Sequence, residues 1–113
     1  MKEFIICSAI HVNAIGEFKD QPKGITCGFV VTGRRHSDCY EIINNVLLVI
    51  GKEESYDYIE SLSLRQNQGF ITNTNRFVFR DEAYEIANAY NQIKYGAKAV
   101  DAENRILISE MLY

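Results

Sequence analysis

Gln68 to Ile93 reads QGFITNTNRFVFRDEAYEIANAYNQI, and a change of period inside it decides the fold. Two short apolar runs, Gly69 to Thr72 and Arg76 to Phe79, flank Asn73, Thr74 and Asn75, which tolerate the left-handed conformation and hydrogen-bond their own backbone in turns. This predicts a hairpin. Directly afterwards the apolar spacing lengthens to about 3.6 residues: Ala83, Ile86, Ala87, Tyr90 and Ile93 share one helical face, with Asp81 and Glu82 in the first turn where acidic groups suit the dipole. A hairpin thus runs into a helix, carrying Arg76, Phe77 and Arg80 where the two meet.

Working outward, Phe4 to Val12 and Ile25 to Val31 are rich in Ile, Phe and Val and suit two half-buried strands paired antiparallel. Asn13 to Gly24, with two glycines and Pro22 among charges, reads as a long loop or flap. Thr32 and Gly33 are expected to break the second strand. Ser37 or Asp38 then starts a helix with Tyr40, Ile43, Leu47 and Ile50 on one face, widened by Ile42, Val46 and Val49, and Gly51 is placed to end it. Lys52 to Asn67 is read as a short helix and a surface loop, and Lys94 to Asn104 as a charged connection. Arg105 to Tyr113, RILISEMLY, is too apolar for a free tail and is expected to dock as a short strand or helical turn. The order predicts an α+β fold, a small antiparallel sheet packed with two main helices, in a single domain over residues 1–113.

A formal charge of −3 argues against coating duplex nucleic acid through a broad basic surface, so any basic site must be local. Cys7, Cys27 and Cys39 form no paired framework and lack metal-ligand spacing, which points to buried thiols in a reducing, cytoplasmic setting. No stretch has the make-up of a signal peptide or a bilayer span. A chain of 113 residues builds a modest core, which oligomerisation would extend.

Two groups of residues are candidates for binding. Arg34, Arg35 and His36 immediately precede the first helix, so cations stand beside unpaired N–H groups at the positive end of a dipole, a combination suited to phosphate; solvated or ion-paired arginines are the simpler alternative. In the hairpin, alternation sends Phe77 and Phe79 to one face and Arg76, Val78 and Arg80 to the other. Phe79 suits the core. Phe77, nearer the turn, can stack on a base, with arginine beside it for phosphate or a base edge. Asn91 and Gln92 can add hydrogen bonds to a ribose or base. Catalysis has little support: the P-loop and dinucleotide-binding glycine patterns are absent, His11 and His36 have no evident Ser or Cys partner, and Asp81, Glu82 and Glu85 match an ordinary helix start as well as a metal cluster. No cofactor or metal is expected.

QGFITNTNRFVFRDEAYEIANAYNQI, the upstream TGRRHSDCYEII and the terminal LISEMLY together resemble the small phage proteins of the first Thoeris anti-defence family. In that family the step into the helix more often carries aspartate before the arginine, where this chain has Phe79; the departure weakens the helix cap and reshapes the edge of any pocket. The resemblance implies a sponge that sequesters cyclic ADP-ribose isomers, or in hexameric members also cyclic di- and trinucleotides, without cleaving them. It implies an antiparallel sheet with helices, and homodimers or hexamers with pockets between subunits. Arg34, Arg35, Arg76, Phe77, Arg80 and Asn91 are the ligand-binding residues expected under it. Protein–protein interaction is the alternative function, and nucleotide phosphodiesterase a third.

Overall fold

Four strands form one antiparallel sheet in the order β2-β1-β3-β4, with β1 (Ile5–Val12) and β3 (Gln68–Thr72) inside, and β2 (Phe29–Gly33) and β4 (Phe77–Phe79) at the edges. Among the described residues, helices α1 (His36–Val49) and α2 (Arg80–Ala89) and a 3-10 turn (Ser109–Met111) complete the elements. The computed structural model describes residues 2–13, 18–49, 64–94 and 105–112. This is the expected α+β arrangement. Among the described residues, no helix is long and apolar enough to cross a membrane.

The registers show which side chains share a face. Ser8 lies opposite Phe70 and Ile10 opposite Gln68, so these stand with Val78 and Val31 on the side covered by both helices. There α1 closes over Ile10, Val12 and Val31 with Cys39 and Ile43, and α2 closes over Phe70 and Val78 with Ala83, Ala87, Leu107 and Met111. Ile5 joins this side although it is an odd number of residues from Ile10. A bulge between Ile5 and Cys7 leaves Ile6 exposed and resets the alternation.

The other face carries Cys7, Ala9, Ile71, Phe77 and Val30, and Ile25 packs against it. Ile25 belongs to a strap, residues 18–28, that bends through the left-handed Asp20, Gly24 and Gly28. The strap is tied down where Lys23 N–H donates to the Asn75 carbonyl at 2.9 Å, Val30 N–H donates to Gln21 Oε1 at 2.9 Å, and the His11 ring bonds the Cys27 carbonyl at 2.7 Å. The second strand accordingly begins later than the apolar run predicted, at Phe29, and continues through Thr32 and Gly33 because both still pair with β1.

In the hairpin, Asn75 takes the left-handed conformation as expected, and Thr72 and Arg76 close the turn. The aromatic assignment is reversed: Phe77 is 9% exposed beneath the strap, whereas Phe79 is 47% exposed at the end of the sheet edge. Alternation places both rings on one face, in T-shaped contact at 5.2 Å, but only Phe77 has a cover. Arg80 is not a strand residue facing beside Val78; it is the first residue of α2.

Helix α2 stops at Ala89, short of the predicted Ile93. Asn91 adopts a left-handed φ of 57°, with Asn91 N–H on the Asn88 carbonyl and Gln92 N–H on the Ala87 carbonyl, the pattern that closes a helix in place of further turns. Gln92 is thereby turned onto β1, where its amide accepts from Ile5 N–H at 2.7 Å and donates to the Ile5 carbonyl at 2.8 Å. Helix α1 begins at His36, just before Ser37 and Asp38, with Asp38 Oδ2 accepting the Arg35 N–H at 3.1 Å. The terminal segment docks as a 3-10 turn. The readings placed on Ile50, Gly51, most of 52–67, most of 94–104 and Tyr113 lie outside the described residues, as do the side chains of Leu47 and Val49.

Gly69 is required by the close approach of β4. A Cβ there would stand 2.3 Å from the Val78 carbonyl oxygen and 2.6 Å from the Phe77 ring. Gly69→Ala is therefore expected to lower unfolding stability by about 2–4 kcal/mol in urea titrations; an unchanged midpoint would contradict this packing.

Candidate functional site

The end of β4, where the strand becomes α2, opens into a hollow of about 350 Å³ bordered by Gln66, Gln68, Phe79, Arg80, Asp81 and Ile106. Phe79 occupies the N-cap position of α2 and makes no side-chain capping bond. The helix therefore presents its positive end here without the oxygen acceptor that Ser, Thr, Asn or Asp would supply. Arg80 adds a guanidinium. Asp81 reduces the positive character at the rim, its Oδ1 accepting the Glu82 N–H at 2.8 Å. Leu107 N–H donates to the Arg80 carbonyl at 3.0 Å and so brings Ile106 to the border.

Among the described residues that border this hollow, the other expected binding residues are not found. Arg76 lies at the turn end of β4 and is committed on every side: Nε and Nη2 grip the two oxygens of Glu3 at 3.0 and 2.7 Å, and Nη1 meets Glu82 at 2.6 Å. Thr72 and Thr74 hydroxyls add to Glu3 Oε2 at 2.7 and 2.8 Å. Hydrogen bonds from Arg76 and then Thr72 hold the Glu3 carboxyl down to about 2. Phe77 is enclosed by the strap. Arg34 and Arg35 are exposed ahead of α1, whose first turn is already occupied by Asp38 and Ser109. Asn91 borders a smaller hollow of about 240 Å³ with Tyr90, Gln92, Lys94 and Leu112, at the opposite end of α2 from Arg80. Ten residues of helix, about 15 Å, separate the two ends.

His36 does have a serine partner, brought from 73 positions away. Its Nδ1 lies 2.6 Å from Ser109 Oγ, its Nε2 lies 2.8 Å from the Gly69 carbonyl, and its own backbone N–H donates to Ser109 Oγ at 3.0 Å. A carbonyl only accepts, so the ring proton is on Nε2 and Ser109 donates to Nδ1. Ser8 Oγ stands 3.1 Å from Ser109 Oγ and 3.0 Å from the Arg34 carbonyl. All three side chains are buried, so the pair presents no reacting atom to a substrate; it joins β1, β3, α1 and the terminal turn. Burial and the nearby Arg80 charge push His36 below its ordinary value, although the bond to Gly69 opposes this.

The model of the phage T4 y16D protein family matches residues 4–113. The chain belongs to this family. No curated protein and no solved structure matches it. Membership of the y16D family agrees with the phage setting that the resemblance implied, while the activity must be argued from the site. Gln66, Gln68 and Ile106 at the hollow had no sequence signal, since isolated amides and an isoleucine in a terminal run are ordinary surface and core residues. Arg80 was singled out for its place between hairpin and helix, and it does border the hollow.

The two shifted groups fix a pH dependence. Both fold with depressed values, so the unfolded chain takes up protons first and stability falls as pH falls. The loss begins as pH drops below about 6.5 through His36 and resumes below 4.5 toward about 2 through Glu3. Urea midpoints measured across pH 7.5 to 2.5 should decline in both windows, and Glu3→Gln should flatten only the acidic one.

Proposed function

We propose that the protein binds and sequesters an immune signalling nucleotide, a cyclic ADP-ribose isomer or a cyclic oligonucleotide, and releases it uncleaved. The observation that carries this reading is the uncapped start of α2 opening, beside Arg80, into a hollow in the lower part of the size range of ligand sites. A phosphate placed there would meet a helix dipole and a guanidinium. The amides of Gln66 and Gln68 offer hydrogen bonds to a base or ribose, and the exposed Phe79 ring offers a stacking surface at the same corner. Nothing in this arrangement asks for a nucleophile, because the buried His36–Ser109 pair is used in packing.

The hollow is open, so tight retention requires a cover. A second copy in a homodimer, or further copies in a hexamer, would supply it and would bring the separated Arg34, Arg35 and Asn91 of different copies into play. The phosphodiesterase alternative has no support from the site. The interaction-module alternative has one observation in its favour: Ile42 and Val46 lie one helical turn apart on α1 and are both substantially exposed.

Titration calorimetry with cyclic ADP-ribose isomers and cyclic di- and trinucleotides should detect binding to at least one, and heat-released ligand should be intact by mass spectrometry. Arg80→Ala should weaken binding by about tenfold or more, the scale of one lost charge-assisted bond, with little change in melting. Absence of binding to the whole panel would defeat the sponge reading; cleaved ligand would point to an enzyme.

A further inference from the structure

We infer that Gln68, held in one orientation by Tyr40, determines which base the hollow accepts, selecting a ring with an exocyclic amino group at its edge. This deepens, and rests on, the nucleotide-binding reading of the same hollow. Gln68 opens β3 on the helix-covered side of the sheet, and its Nε2 donates to the Tyr40 hydroxyl of α1 at 2.8 Å. In this structure the amide turns Nε2 to the Tyr40 hydroxyl, which leaves Oε1 as the end for a ligand. Among the described residues no group donates to that oxygen.

The neighbours make this the selective contact. Gln66 also borders the hollow but is exposed, and a side chain free to rotate can donate or accept as the ligand requires. Arg80 and the helix end supply donors suited to phosphate, whereas Asp81, like Gln68, supplies acceptor oxygens. Adenine and cytosine carry an amino group that would satisfy Gln68 Oε1. Hypoxanthine and uracil place a carbonyl oxygen there, setting acceptor against acceptor with no bond to offset the lost water.

Adenosine 5′-diphosphate and inosine 5′-diphosphate test this directly, because they have the same phosphates and differ at the ring edge by amino against carbonyl. The wild-type protein should bind the adenosine form about tenfold more tightly by calorimetry. Gln68→Ala should bring the two within about twofold, chiefly by losing affinity for the adenosine form, and Tyr40→Phe, which frees the amide to turn over, should narrow the preference to about threefold. Should Gln68→Ala fail to fold, Gln68→Glu preserves shape and acceptor and should retain the preference; its collapse in that variant would count against Gln68. Equal binding of both nucleotides by the wild type, or preference for the inosine form, overturns the role of Gln68 while leaving nucleotide binding intact. Binding of neither overturns this inference, and if the cyclic ligands also fail to bind, the nucleotide reading falls with it.

Discussion

The buried seam of His36, Ser109 and Ser8 is the constraint on which the rest of the fold depends. It lies between the apolar cluster under α1 and that under α2, and it is the point where β1, β3, α1 and the terminal turn meet. Polar groups so enclosed are costly unless each finds a partner, and among the described residues no fully buried side-chain polar atom lacks one. Phe70 closes the seam from below, edge-on to the imidazole at 5.0 Å. Burial and the nearby Arg80 charge, against the opposing bond to Gly69, hold His36 toward its neutral form, which is why acid reaches the fold through this residue before it reaches Glu3.

A second set of bonds secures the opposite face. Glu3 gathers Thr72, Thr74 and Arg76 around one carboxylate, fastening the segment before β1 to the hairpin turn. The strap is fastened to the same turn through Lys23 and Asn75. Phe77 is sealed in consequence. Arginine and aromatic side chains at a turn, which look like ligand contacts in isolation, here hold the sheet together, and the candidate site moves to the other end of β4.

At that end the chain changes from strand to helix with a phenylalanine where an oxygen-bearing cap would be usual. The absent cap leaves a positive helix end beside Arg80, and the return of the terminal segment along Arg80 supplies a wall. Gln68, reaching toward α1, gives the hollow a fixed polar edge. The hollow thus arises where three segments distant in sequence converge.

Local pattern in the sequence was sufficient for the hairpin with its turn at Asn73 to Asn75, the period change into α2 and the order of elements, because each depends on neighbours within a few residues. Only the tertiary structure decided which aromatic is buried: Phe77 and Phe79 share a face by alternation, and a strap from some fifty residues earlier covers just one. The same holds for Arg76, whose partner Glu3 is 73 positions away, and for His36, whose serine is equally remote. The end of α2 at Asn91 turned on a helix-closing conformation that apolar periodicity does not encode. Contacts of this range are set by packing and by the need to pair buried polar groups, and no local pattern records which distant residue will meet that need.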